Sequence, residues 1–458
     1  MKNFVSILAF CLSVVSAIAV QKSPQWVSVG GAYGGKSGGV VLPSGAVAIL
    51  DSTSCGGDFK DFELSLEARS IKAGKGVLRF HTDSKRVQGY AIVIDNDANN
   101  SVWWRKTGSL LSVRNLAKSI VRDGDWFALK VKVAGNLIEV FVNSEKLVEY
   151  AEPETPYRTS ANKNVRLGKG TFALECKEGG AIEFKNLKIK RLKTSTKRYP
   201  SESETSDGVI ALHQADFPVL DYHVHLKGDL TAEKAIEQSR KYGINYAIAA
   251  NCGKDFPINK DSLVIDFLKQ NRGYPYILAM QAEGREWHKI ISKQVRNEFD
   301  YVFTDAMTFI DDAGRRVHLW IPKEVFITPE NEQAYMDMIV NRICTTVQED
   351  ANIYANATYL PNAIMQRYSE FWTPQRRTKV LDALQKGGMA FEISAKYNIP
   401  DAEFIKEAKK RGIKFTFGSN NQNSDFGKLE YCIKMIKECG LTPSDMYKPN
   451  VKIGKNIE

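Results

Sequence analysis

Val219–Leu226, VLDYHVHL, decides how the second half of this chain is read. An apolar run that ends in His-x-His places His223 and His225 on one face of a strand, because side chains alternate with period two. Two imidazoles on one face form a claw suited to a divalent cation. The residues that follow, Lys227 to Thr231, are turn chemistry. TAEKAIEQSRKYG (231–243) then reads as a helix with Thr231 as N-cap and Gly243 at its end. The histidines therefore stand at the carboxyl end of a first βα unit, where α/β barrels carry their sites. The chain has six histidines in 458 residues, and two of them sit on this one strand end.

Working outward, the pattern from residue 216 onward alternates strands with helices. Strands are expected at 219–226, 246–253, 276–284, 300–307, 353–360, 389–395 and 413–420, and helical runs such as AYMDMIVNRICTTV and RTKVLDALQKGG stand between them. Seven βα units imply a parallel sheet closed into a distorted (β/α) barrel. After the two histidines, the remaining strand ends carry Asn251, Glu283, Asp305, Asn356, Glu392 and Asn420, which a barrel would converge on one mouth. Through DYHVHL, QAEGREW, DYVFTDAMTF, MAFEIS and FTFGSNN, residues 216–449 resemble the PHP (polymerase and histidinol phosphatase) family of metal-dependent hydrolases. The resemblance implies a divalent metal, zinc or manganese, on His223, His225 and Glu283, with Asp305 or Glu392 as further ligand. It also implies catalytic roles for Glu283 and Asp305, and substrate contacts from Asn251, Asn356 and Asn420. The chain departs from the family where Gly-Ser-Asp-x-His is usual, since it has Gly418-Ser419-Asn420-Asn421-Gln422. A carboxylate and an imidazole have become amides, which disfavours a trinuclear phosphoesterase site and leaves open a metal-free pocket of amides and carboxylates.

Residues 20–192 read as all-β. AVAILD, FELSLEARS, GVLRFHT, GYAIVID, WFALKVKVAG, LIEVFVN, GTFALEC and IEFKNLKIKRL are short alternating or apolar runs separated by Gly, Asn or Asp, the spacing of a jelly-roll sandwich. Through DFELSLEAR, GVLRFHT, GYAIVIDN, SVWWRKTGSL and the closing strands, this part resembles the 3-keto-disaccharide hydrolase domain family. The resemblance implies a sugar whose C3 hydroxyl has been oxidised to a ketone. That ketone acidifies the C2 proton, so a base can remove it while the glycosidic oxygen leaves C1. His81 and Asp95 are the acid/base candidates on this side, and Trp103, Trp104 and Arg105 the candidate sugar platform. The plainer alternative makes His81 a strand residue and the tryptophans core.

Residues 1–19, with a single Lys, an apolar run and Ala17-Ile18-Ala19, read as a secretory signal peptide, so the mature chain is expected in the periplasm or outside the cell. No other run is long and apolar enough to span a bilayer. The formal charge of +10 is concentrated around Lys185–Arg198, which holds seven basic residues and no acid, and is read as a solvated face with no nucleic-acid partner. Residues 193–215 have linker composition. Six cysteines beyond the leader show no metal spacing, and Cys55 with Cys176 is one admissible pair. The expected function is cleavage of 3-keto-glycosides by an exported hydrolase or lyase. The alternatives are a metal-dependent phosphoesterase with a carbohydrate-binding sandwich, and a non-catalytic sugar-binding protein.

Overall fold

The structure, a computed structural model, describes residues 26–31, 33–34, 39–424 and 427–453. The expected leader lies outside the described residues.

The first half packs a five-stranded sheet against a seven-stranded one, both antiparallel. Alternation explains the pairing. In Phe62–Ile71 every second residue is buried, and the buried Phe62, Leu64, Leu66 and Ala68 stand directly opposite Val133, Val131, Leu129 and Phe127 of the neighbouring strand. This row faces Leu78, Phe80, Ile92 and Phe172 of the other sheet, which together form one apolar core. The pairing of Cys55 with Cys176 is not made. All six described cysteines are free thiols; Cys176 is buried in this core, whereas Cys55 closes a short turn with its Sγ beside Ser54.

In the second half, Leu220–Val224, Asn245–Gly253, Ile277–Glu283, Tyr301–Thr304, Ile353–Tyr354, Ala390–Ser394 and Phe415–Gly418 form a closed parallel barrel, as the strand pattern led us to expect. Its inner rows run from apolar to polar along each strand. Ala247 and Ala249 lead to Asn251, Ile277 and Ala279 to Gln281 and Glu283, Tyr301 and Phe303 to Asp305, and Ala390 to Glu392. Alternate outward residues such as Ile248, Leu278, Met280 and Val302 pack under the surrounding helices.

The two halves are joined more closely than linker composition suggests. Residues 193–208 are tied to the sandwich: the Glu204 carboxylate accepts from Tyr150 Oη at 2.6 Å, Tyr157 N at 3.0 Å and Arg158 Nη1 at 3.1 Å. A sandwich loop, residues 101–121, also docks beneath the barrel. Trp103, Trp104 and Ala117 join the inner barrel cluster from below, Ala117 N donates to Asn245 Oδ1 at 3.2 Å, and Lys118 Nζ caps Tyr276 O at 2.7 Å.

His213 sits at this junction and sets a pH dependence. Its Nδ1 accepts from Asn115 N and its Nε2 faces Gly243 O at 2.8 Å, so the ring is neutral. Burial, then the nearby Arg114 guanidinium, pull its pKa from 6.5 down to about 3. Below pH 6.5 the unfolded chain takes up a proton that the folded chain refuses, so this stability is complete above 6.5 and is lost as pH falls toward 3. Relative to a His213→Gln chain, the native protein should lose about 1.4 kcal/mol per pH unit across that window. Urea midpoints of the two proteins at pH 7.5 and 5 check this, and a gap that does not change with pH would refute it.

Candidate functional site

Residues expected from seven different strand ends meet at the carboxyl mouth of the barrel. The register between the first two strands slips between Asp221 and Val224. This bulge leaves Tyr222 in the inner cluster and Val224 under the helices, while His223 and His225 enter the polar network, their ring centroids 5.1 Å apart. His223 Nδ1 lies 3.0 Å from Glu392 Oε1 and its Nε2 lies 3.3 Å from Gln281 Oε1. Glu392 Oε2 accepts from Asn356 N at 2.5 Å. Asp305 accepts from Met307 N at 2.9 Å, Asn356 Nδ2 at 2.8 Å and Gln281 Nε2 at 3.4 Å, and Asn420 Nδ2 donates to Asn356 Oδ1 at 2.9 Å. Asn251 Nδ2 bridges Gln281 Oε1 at 3.0 Å and Glu283 Oε1 at 3.2 Å. Gly418 makes room for this contact set, because a Cβ there would lie 1.6 Å from Glu392 Oε1.

Two atoms of titratable side chains in this network have no hydrogen-bond partner among the described residues. His225 Nδ1 lies 3.0 Å from Ala249 O and must donate its proton there, which leaves a lone pair on Nε2, and Nε2 has no partner. Glu283 Oε2 is buried and also without a partner. Burial, then the neighbouring Asp305, push the Glu283 carboxyl well above its usual range; burial, then His223 and Lys227, push His225 well below its own. Lys227 stands at the rim, part-buried, and its charge is felt by Glu283. Sequence reasoning passed over Lys227 and Gln281, although Gln281 shares the inward row of Glu283 by simple alternation.

The sandwich candidates are placed differently. His81 has both ring nitrogens on backbone, Nε2 with Lys60 O at 2.7 Å and Nδ1 accepting from Gly168 N at 3.2 Å, and it packs against Phe62 and Phe80. Asp95 is buried and holds its own loop, accepting from Asp97 N at 2.9 Å and Asn100 Nδ2 at 2.6 Å. Trp103 and Trp104 are 5% and 7% exposed. Instead of a sugar platform they are the floor of the barrel. Arg105 and Trp104 Nε1 both bind Asp216.

A resident divalent ion does not fit the donors as they stand. Among the described residues no group of three or more His, Cys, Asp or Glu is arranged to hold a metal. The carboxylates of Asp305 and Glu392 and the ring of His223 are spent on neighbours, so only His225 Nε2 and Glu283 Oε2 remain, fewer than a four-coordinate shell needs.

Beside the mouth, the hairpin Thr308–Ile310 and Arg316–His318 is tied to the rim by Arg316, which binds Glu286 at 2.8 Å and Asp255 at 3.4 Å. Between this hairpin and the helix Glu332–Thr346 lies a cleft of about 560 Å³, lined by Arg285, Thr308, Phe309 and Asn341 among others. That is within the size range of small-molecule sites.

Residues 39–190 match the family model of the 3-keto-alpha-glucoside-1,2-lyase-like domain. The match spans about a third of the chain and falls on the sandwich, which is a carbohydrate-related, hydrolase-like domain. Among solved structures, the chain is similar to a putative glycosyl hydrolase from Parabacteroides distasonis ATCC 8503, at 18% identity over 34% of this chain and 82% of that one, with a TM-score of 0.30. It is also similar to the carbohydrate binding module CBM66 from Bacillus subtilis, at 14% identity over 36% of this chain and 94% of that one, with a TM-score of 0.27. No curated protein matches the chain. Among the described residues no helix is long and apolar enough to cross a membrane.

Proposed function

We propose that the chain cleaves glycosides whose C3 hydroxyl has been oxidised to a ketone, with the chemistry at the barrel mouth and the sandwich serving sugar recognition. The observation that carries this is the pair of free buried atoms, His225 Nε2 and Glu283 Oε2, inside a network whose other carboxylates are paired. Groups whose surroundings push their proton affinities apart suit a division into base and acid. His225 Nε2 takes the C2 proton, and the C–H electron pair moves into the C2–C3 bond as the ketone becomes an enolate. The Lys227 ammonium at the rim offsets the charge on O3. The enolate then collapses, C1–O1 breaks, and the protonated Glu283 delivers a proton to the departing oxygen. The products are a free alcohol and a 1,2-unsaturated 3-ketone, to which water can add. No step requires a metal, and metal analysis of the purified chain decides the zinc-or-manganese expectation. The reading includes export, to which residues 1–19 would direct the chain.

The test compares a 3-keto-glucoside with the parent glucoside, the first labelled with deuterium at C2. Cleavage of the keto substrate alone, with loss of the label to water, is expected. Equal turnover of the parent would overturn the proposal, because an ordinary two-carboxylate glycosidase needs no ketone. Release of phosphate from a sugar phosphate would instead favour the phosphoesterase alternative.

A further inference from the structure

Between the sandwich loop and the barrel floor lies a cavity of about 40 Å³. On this measure a single water needs about 10–15 Å³, so the space exceeds one water. Its lining includes four cations, Arg114, Lys118, Lys146 and Arg240, together with Ser239 and Asn245, and no Asp or Glu.

The partners of these cations show what is missing. Lys146 is neutralised by Glu139 at 2.7 Å and by Glu149 at 2.5 Å. Lys118 Nζ donates to Tyr274 O and Tyr276 O, with Asp300 as its opposing charge. The two guanidiniums are less well served. Arg114 is 4% exposed; its Nη2 donates to Ser239 O at 2.8 Å, Ser239 Oγ at 2.9 Å and Ile244 O at 3.3 Å, but its Nε and Nη1 have no partner. Arg240 Nη2 donates to Lys146 O at 2.6 Å and reaches Glu145 at 3.4 Å, while its Nε has none. Among the described residues no carboxylate forms an ion pair with Arg114, whose hydrogen bonds go to Ser239 and Ile244. A buried guanidinium with unmade hydrogen bonds and no counter-charge is unfavourable unless something fills the space beside it.

We propose that this cavity binds a small oxyanion of the phosphate or sulfate class, held by the free N–H groups of Arg114 and Arg240. A tetrahedral oxyanion offers separate oxygens to donors on two different side chains, whereas a single spherical halide engages them less well. Ser239 Oγ and Asn245 Nδ2 line the same wall but already donate to Ile244 O, and to Asn115 O and Val219 O, so the two guanidiniums supply the free donors. Because the cavity is shared by the docking loop and the barrel, the anion cross-links the two halves and stabilises their union. This site is independent of the chemistry proposed at the mouth.

The test uses the full-length mature chain and inorganic phosphate or sulfate as probe. Thermal unfolding midpoints are measured against rising anion concentration, with chloride used to keep ionic strength constant. A saturable rise with either oxyanion, and one equivalent bound in a calorimetric titration, are expected. Arg240→Met, a change at a partly exposed residue, should weaken binding by about tenfold, and Arg114→Met should abolish it. If the Arg114 variant does not fold, the Arg240 variant carries the test. An equal rise with chloride, or unchanged affinity in Arg240→Met, would overturn the site.

Discussion

Glu283→Gln is expected to lower turnover of a 3-keto-glucoside by about 10²–10⁴-fold, the range that positioned proton transfer contributes, while leaving the chain folded. The amide is close in shape, and its oxygen can still accept from Asn251 Nδ2, which now lies 3.2 Å from Glu283 Oε1. What it loses is the transferable proton. In the native protein the Glu283 carboxyl is buried beside Asp305, and both are pushed up by burial. A neutral amide replaces a carboxyl that its surroundings already hold protonated, so the unfolding midpoint should stay level. Loss of rate without loss of stability is the combination a structural role would not give. Full activity in Glu283→Gln would move the chemistry elsewhere. His81 would then be the next residue to change, although its two backbone hydrogen bonds predict that His81→Gln acts on stability first.

The barrel was legible because its signal is periodic and repeated. Seven apolar runs, each ending in a polar residue, leave little freedom once the strands must be parallel and closed, and the residues at those ends met as expected. Gln281 was equally legible, since it lies two positions before Glu283 on the same face, but an amide draws less attention than an acid. The bulge between Asp221 and Val224 was not legible. A one-residue slip changes which side chains face inward, and nothing in VLDYHVHL marks it; Asp221, which accepts from His223 N at 3.0 Å and from Ser419 N at 3.1 Å, is visible as its anchor only once the chain is folded. The sandwich followed from alternation, yet SVWWRKTGSL carries no period at all. Two adjacent tryptophans beside an arginine have the composition of a sugar platform and of an interface alike. Only the position of the loop relative to the barrel separates the two, and that relation is set by contacts distant in sequence. Residues 193–215 have linker composition, and that Glu204 within them accepts three hydrogen bonds from the sandwich is visible only once the chain is folded.

Trp104→Ala separates the platform from the floor. If Trp104 were a sugar platform, the substitution would weaken carbohydrate binding and leave stability untouched. As placed, its ring is 7% exposed, packs edge-on to Trp103 with centroids 5.7 Å apart, and joins a cluster that includes Leu220, Tyr222, Ala247 and Ile277 from the barrel interior. Truncation would open a cavity under three strands and unmake the 2.9 Å hydrogen bond from Nε1 to Asp216. We therefore expect a loss of about 3–5 kcal/mol, the usual range for Phe or Trp cut to Ala in a core. Arg105→Ala provides the contrast. That side chain shares Asp216, but both partners are about a third exposed, so the ion pair is screened and its loss should cost at most about 1 kcal/mol. The measurement is chemical denaturation of the three proteins, followed by a probe in each half. A Trp104 variant as stable as Arg105→Ala would refute the floor assignment. If the assignment holds, the sandwich and barrel signals should shift together in Trp104→Ala, because the residue belongs to the first by sequence and to the second by packing.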